Sequence, residues 1–337
     1  MSEDPYKAEL ERVLATLEPC NFKINNYPQI VFICGGEIEQ KSYEDAKAIP
    51  ASLRERILIY LAREHSEIER NCVVAESFKD YFQKGSYKNL LEFESDIANI
   101  ASLIVVCLES AGSLVEFGIF TSHEKTIKKL QVFVPQEFYN NVHDEQDSFI
   151  KLGPLAELES MRDDAVLVYP FPNKDKLLYE DIDVIIGDIT ARLSEEHAQT
   201  DFDHNNSGHL AFLIHDLILL AYPIKIPEIE LCIKQLGINS LDERRISSLI
   251  YLLKKTRHIG IEKYSGTDYL YPLNHKLNRV VFGKSRDGKV FDRAARFIEI
   301  RSTFGFITKT ESQLMKKRRL AMTKIAAKMT KKVEVTL

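Results

Sequence analysis

Tryptophan is absent from the 337-residue chain, glycine and proline are scarce at 14 and 11, and no apolar run reaches the length of a membrane span. Each shortage excludes a class. So little Gly and Pro argues against collagen-like and low-complexity chains, and 45% hydrophobic with 28% charged residues argues against wholesale disorder. The most apolar stretches, 97–108 and 212–224, fall short of the ~20 residues a membrane helix needs, and the second contains His215 and Asp216. The acidic start, residues 1–11, lacks the basic and apolar regions of a signal peptide. The cysteines (Cys20, Cys34, Cys72, Cys107 and Cys232) form an odd, scattered set with no Cys-x-x-Cys pair, which points to neither a disulfide framework nor a zinc site. The expectation is a soluble globular chain of two domains, with length to spare for an appendage, in a reducing cytoplasm.

Charge is abundant and unevenly placed. Residues 1–200 carry 20 Lys and Arg against 36 Asp and Glu, whereas 201–337 carry 25 against 14. A net charge of −5 therefore hides an acidic body joined to a basic one. Such a division suits a basic half that meets a polyanion, or halves that attract each other in an assembly.

In the first half, short β-branched runs at 30–34, 72–75, 103–108, 131–134 and 165–169 read as buried parallel strands. Between them, 50–63, 87–101 and 113–125 space apolar residues at three and four, the helical period. This alternation predicts a doubly wound α/β parallel sheet over 1–200. A helix over 180–196 leads into a polar linker at 201–208. Helices follow at 209–222, 227–236 and 241–258, with Gly237 ending the second and a Ser240/Glu243 capping box starting the third. Strands at 259–263 and 269–271 complete the pattern of a mostly helical winged helix-turn-helix domain over 209–275. A basic extension, 276–337, holds a second hairpin around Arg286-Asp287-Gly288 and a terminal helix.

Ligands of a doubly wound sheet sit beyond the carboxyl ends of its strands. Two loops there carry candidate chemistry. In Cys34-Gly35-Gly36-Glu37, the paired glycines either let the backbone approach a phosphate or sugar or simply make a tight turn. In the segment from Glu109-Ser110-Ala111-Gly112-Ser113 to Glu116-Phe117-Gly118-Ile119-Phe120, a helix beginning at Ser113 puts Glu116 in its first turn. A carboxylate there can attack an anomeric carbon or stabilise an oxocarbenium ion, with the Gly112 and Ser113 amides on the substrate. The same Ser113-x-x-Glu116 spacing is equally a capping box, in which Glu116 only closes the helix.

The pattern Glu-Ser-x-Gly-Ser-x-x-Glu-x-Gly-x-Phe resembles the signature of nucleoside deoxyribosyltransferase-like domains, and the resemblance implies that Glu116 is the nucleophile. Joined to a winged helix, the chain is similar to the effector proteins of bacterial retrons, anti-phage systems built from a reverse transcriptase and its branched RNA-DNA product. Gly35, Gly36, the Glu109–Phe120 segment and residues 147–155 fall where that family has its pocket. The resemblance implies a toxic N-glycosidase acting on a nucleotide, with NAD the leading substrate and no cofactor. It also implies reverse transcriptase and multicopy single-stranded DNA as partners, in a higher-order complex or homo-oligomer. Metabolic deoxyribosyltransferases often have Asp where Glu109 stands and Tyr near Cys34-Gly35, so hydrolysis is expected over base exchange. A nucleotide-sensing DNA-binding regulator and a metabolic deoxyribosyltransferase are the alternatives.

Secondary candidates are weaker. Glu76 either touches a ribose hydroxyl or is an exposed loop acid, and Glu37 is counted with the substrate loop. Glu94, among Leu91, Ile97 and Ile100, reads as structural, and the cysteines as packing residues. His197, Asp201, Asp203, His204 and His209 lack a recognised ligand spacing, so no metal is expected. Arg244, Arg245, Lys254, Lys255 and Arg257 on or near the third helix, and Lys316, Lys317, Arg318 and Arg319 on the terminal one, are candidate phosphate contacts. Winged helices also dock proteins, and without interleaved aromatics the terminal helix would attach electrostatically rather than by stacking.

Overall fold

A computed structural model describes residues 4–25, 30–39, 48–74, 76, 86–139, 149–173, 175–195, 199–306 and 312–334. Two compact units emerge: Pro28–Gln83 with Asn89–Glu196, and Met1–Tyr27 with Lys84–Lys88 and His197–Leu337. The division differs from the expected 1–200 domain, because α1 (Pro5–Leu14) and β1 (Lys23–Ile24), first in the chain, belong to the C-terminal unit. Among the described residues no helix is long and apolar enough to cross a membrane.

The acidic unit runs β2 (Val31–Cys34), α2 (Leu53–Glu64), β3 (Cys72–Val73), α3 (Leu90–Ile100), β4 (Leu103–Cys107), α4 (Ala111–Thr121), β5 (Leu130–Pro135), β6 (Val166–Tyr169) and α5 (Ile182–Ser194). Its five strands are all parallel, in the order β3-β2-β4-β5-β6. Continuous apolar runs such as 103–107 form these strands because helices cover both faces. Val31 and Ile33 of β2 pack with Leu53, Ile57 and Leu61 of α2 and Ile185 and Ile189 of α5. Phe32 faces the other way and meets Phe120 of α4 edge-on. The chain leaves β2 for β3 on one side and returns to β4 on the other, so the strand order reverses between β2 and β4. That reversal opens a crevice at the carboxyl ends of β2 and β4, beside Cys34 and Cys107. β3 ends at Val73, short of the expected 72–75, and Ala75 lies outside the described residues.

The C-terminal unit contains β7 (Thr200–Asp201), α6 (Ser207–Ala221), α7 (Ile226–Gln235), α8 (Glu243–Lys255), the hairpin β8 (Ile259–Tyr264) and β9 (Thr267–Pro272), β10 (Val280–Val281), α9 (Arg293–Gly305) and α10 (Gln313–Glu334). Three helices thus precede an antiparallel hairpin, turned through Ser265 and Gly266 at positive φ, as a two-residue turn requires. Gly237, φ +73, ends α7 as expected. The cap of α8 is not Ser240 but Asp242, whose carboxylate accepts from Arg245 N at 2.7 Å, while Ser240 donates to the His204 carbonyl. The expected linker is also structured: Thr200 and Asp201 pair with Ile24 and Lys23, and Asn206 caps α6. A second hairpin does form at Arg286-Asp287-Gly288, where Lys284 bridges Val290.

Asp216 anchors this unit. Fully buried on α6, it accepts from Arg279 N, Val280 N at 2.8 Å and Arg293 Nη2 at 2.7 Å, and pairs with His215. These bonds and the Arg293 charge outweigh burial and hold its carboxyl below the usual range.

Candidate active site

The helix carrying Glu116 starts one turn earlier than its spacing suggests. Ser110 is the N-cap: its Oγ accepts from Ser113 N at 3.1 Å, and Ser113 Oγ accepts from Ser110 N at 3.1 Å, a reciprocal box. Ser113 is therefore the third helical residue, and Glu116 sits in the second turn with no capping role. The Ser113 amide is not free for substrate, because Ser110 Oγ occupies it. Gly112 is exposed in the first turn.

The Gly35-Gly36 turn closes on the start of α2 through Glu109. Glu109 Oε1 accepts from Gly36 N at 2.8 Å and Arg54 N at 3.1 Å, and its Oε2 from Leu53 N at 2.8 Å. A carboxylate at a helix N-terminus is well placed to satisfy such orphan amides. The glycines make room for this closure. A Cβ on Gly35 would lie 2.7 Å from Arg54 Cβ, and one on Gly36 2.7 Å from Ser52 Cβ and 3.0 Å from Glu109 Cδ. Ser110 Oγ donates to the Gly35 carbonyl at 3.0 Å, and Ser52 Oγ to the Glu37 carbonyl at 2.7 Å. The Glu37 side chain itself is exposed.

Around Glu116 the structure gathers groups from four other elements. Cys34, buried at the end of β2, donates its thiol hydrogen to the carboxylate. Arg54, on the first turn of α2, pairs with Glu76 after β3 at 2.7 Å. Glu94 projects from α3 and is 3% exposed. Burial raises the Glu116 carboxyl above the ordinary range, opposed by the Cys34 hydrogen bond and the Arg54 charge. Burial raises Glu94 further, to about 7, with the Glu116 and Glu76 charges adding to the shift. The same burial, with Glu116 and Glu94 nearby, keeps the Cys34 thiol protonated. Two carboxyls of unequal acidity beside one cation form an arrangement able to hold one acid ionised and the other protonated near neutral pH.

The sequence pattern singles out Glu116, Glu109, Glu76 and the two glycines. It misses Arg54, and it reads Glu94 as structural and Cys34 as packing. One signal is present for Glu94: it stands three and four residues before Ile97 and Ala98, on the buried stripe of its helix. Of the 147–155 segment, Asp147 and Ser148 lie outside the described residues; Phe149 and Leu152 are exposed, and Leu155 is buried. A separate concavity of about 330 Å³ lies between α2 and the start of α5, lined by Arg56, Tyr60, Leu177 and Tyr179 among others, and none of the carboxylates above lines it.

Among the proposed nucleic-acid contacts, Lys254, Arg257 and Lys316 are exposed, and Arg244, Arg245, Lys255, Lys317 and Arg319 are half-buried. Arg318 does not take the phosphate-contacting role expected of it. It is 2% exposed, donates to the Pro223 carbonyl and to Glu228, and stacks 3.4 Å above the Tyr6 ring, so it is a core residue unavailable to phosphate. His209 accepts from Asp203 N at 3.0 Å, Asp201 pairs with Lys23, and His197 lies outside the described residues. Among the described residues no group of three or more His, Cys, Asp or Glu side chains is arranged to hold a metal ion.

Residues 50–261 match the family model described as STM3845 retron effector protein. A retron Ec73 putative ribosyltransferase/DNA-binding protein of Escherichia coli is 27% identical over 189 residues, 51% of this chain and 55% of the relative. The chain thus spans about half the length of that relative. The matched region runs from just before α2, through Arg54, Glu94, Glu109 and Glu116, to the start of the hairpin, and Cys34, Gly35 and Gly36 precede it. The chain belongs to the STM3845 retron effector family.

Proposed function

We propose that this retron effector is an N-glycosidase with a nucleoside deoxyribosyltransferase-like domain, and that it hydrolyses a nucleotide, with NAD the leading substrate. Glu116 is the nucleophile. Its carboxylate attacks the anomeric carbon as the carbon–nitrogen bond breaks, the base leaves with the bonding pair, and water then hydrolyses the glycosyl ester. A nicotinamide leaving group departs neutral; a neutral nucleobase needs a proton, which Glu94 is placed to hold. The observation carrying this reading is that Glu116 does not cap its helix. It is a half-buried carboxylate at the strand-order reversal, hydrogen-bonded by Cys34 and next to Arg54 and Glu94. The name of the Ec73 relative, a putative ribosyltransferase, is in keeping with chemistry at a glycosidic bond.

In this reading the basic unit is a winged helix-turn-helix domain with a basic extension, and it holds the effector in a complex with reverse transcriptase and its RNA-DNA product. The order of three helices and a hairpin supports it, as do the exposed Lys254, Arg257 and Lys316. The direct test is incubation of purified protein with NAD and with nucleoside monophosphates, followed by chromatography for released base. Release by wild type and none by a folded Glu116→Gln variant is the expected result. Equal release by both removes Glu116 as nucleophile, and no release with retained nucleotide binding favours a sensing regulator.

A further inference from the structure

Arg54 has a role that the glycosidic step does not use. Only 3% exposed, it spends both terminal nitrogens on Glu76: Nη1 donates to Oε2 at 3.1 Å and Nη2 to Oε1 at 2.7 Å. Nη2 also reaches the Gly36 carbonyl, and the buried Nε has no partner among the described residues. Glu76 is the opposite case, with 45% of its side chain exposed. A buried cation is therefore satisfied by an acid that water can readily take back. The two oxygens of a carboxylate on a guanidinium fork also occupy the positions that two oxygens of a phosphate adopt on the same fork.

Charge narrows the ligand. Glu76 holds this fork, Glu109 accepts from the Arg54 amide and Glu116 feels the Arg54 charge, so a phosphate entering beside an intact Arg54–Glu76 pair meets acids whose neighbouring cation is already matched. Exchange removes the conflict: the phosphate takes the guanidinium and Glu76 returns to solvent. We propose that the Arg54 fork is an anion subsite, held by Glu76 when empty and by the phosphoryl group of the nucleotide when substrate is bound. The inference rests on the reading of the site as a nucleotide N-glycosidase, and it makes Arg54 the residue that selects nucleotides over nucleosides.

The test uses the full-length chain carrying Glu116→Gln, so that ligand is not consumed, with calorimetry of nicotinamide mononucleotide, nicotinamide riboside and inorganic pyrophosphate. The mononucleotide should bind about tenfold to a hundredfold tighter than the riboside, the size of a charge-assisted hydrogen-bonded pair. Adding Arg54→Gln should erase that gap. Adding Glu76→Gln, which keeps a side-chain oxygen to accept from the buried guanidinium, should tighten the mononucleotide and pyrophosphate several-fold and leave the riboside unchanged. Measurable but equal binding of mononucleotide and riboside, or a Glu76→Gln change that moves neither phosphate ligand, overturns the subsite. Pyrophosphate keeps the two claims apart: if it responds to Glu76→Gln while neither glycoside binds, the anion subsite stands and the glycosidase reading falls.

Discussion

The Cys34 thiol donates a hydrogen bond to the Glu116 carboxylate, joining the end of the first strand of the parallel sheet to the second turn of α4. A donor to the charged form favours that form, so this bond lowers a carboxyl that burial otherwise raises. Cys34→Ala should therefore move the acid limb of the kcat/KM profile to higher pH, and Cys34→Ser, which keeps a donor, should leave it near wild type. A profile identical in all three proteins would show that the thiol does not tune the Glu116 carboxylate.

Glu94 makes the opposite prediction for stability. Its folded value of about 7 exceeds the 4.5 of a free glutamate, so between these values the folded state holds the extra proton. Its stabilising contribution is complete below 4.5, declines as pH rises through 7, and is then gone. Glu94→Gln removes the ionisation. Thermal melts should show the variant gaining on wild type between pH 5 and pH 8, on the order of 2 to 3 kcal/mol. Parallel melting curves at both pH values would contradict the burial of this acid.

The Gly-Gly closure and the helix cap predict losses of stability. Gly36→Ala drives a Cβ to 2.7 Å from Ser52 Cβ and into Glu109, so it should destabilise by about 1 to 3 kcal/mol, as overpacking does. The obstruction a larger side chain meets is the protein itself. Ser110→Ala removes the cap and the bond to the Gly35 carbonyl, and should cost about 0.5 to 2 kcal/mol. Chemical denaturation measures both, and wild-type midpoints would refute the closure.

The parallel strands are legible in the sequence because burial on both faces leaves short, β-branched apolar runs, as at 103–107, between segments of helical period. The sheet of β10, β1 and β7 is not, since strands of two residues carry no periodicity, and the distant partners of Lys23 at Asp201 and Val281 leave no local trace. Glu116 stands out by its pattern, but its helix start is ambiguous because Ser110 and Ser113 both fit a cap and only the reciprocal bonds distinguish them. Arg54 escapes notice because a guanidinium in an ordinary helical segment looks solvated until the loop it folds onto is known. Arg318 reads as part of a basic run, although it shares the stripe of Met315, Met322 and Ile325, and that spacing marks the buried face of α10.

The burial of Arg318 separates it from the surface cations of the basic unit. Removing it takes from Glu228 one of two cations, the other being Lys225 at 3.0 Å, leaves the Pro223 carbonyl without its donor and empties the space above the Tyr6 ring, so Arg318→Ala should cost about 2 to 5 kcal/mol, the range for truncating a large buried side chain. It should not change how binding to nucleic acid responds to salt at temperatures where the variant is folded. Lys254, Arg257 and Lys316 are exposed and should behave the other way. Replacing the three with Ala should leave the melting temperature nearly unchanged and flatten the logarithmic salt slope by roughly 0.7 to 0.9 for each phosphate no longer neutralised. Fluorescence anisotropy with a branched RNA-DNA probe at two salt concentrations, run beside thermal melts, gives both readouts. A triple variant with the wild-type slope would remove nucleic acid as the partner of these lysines and this arginine, and would turn attention to protein docking on the same face.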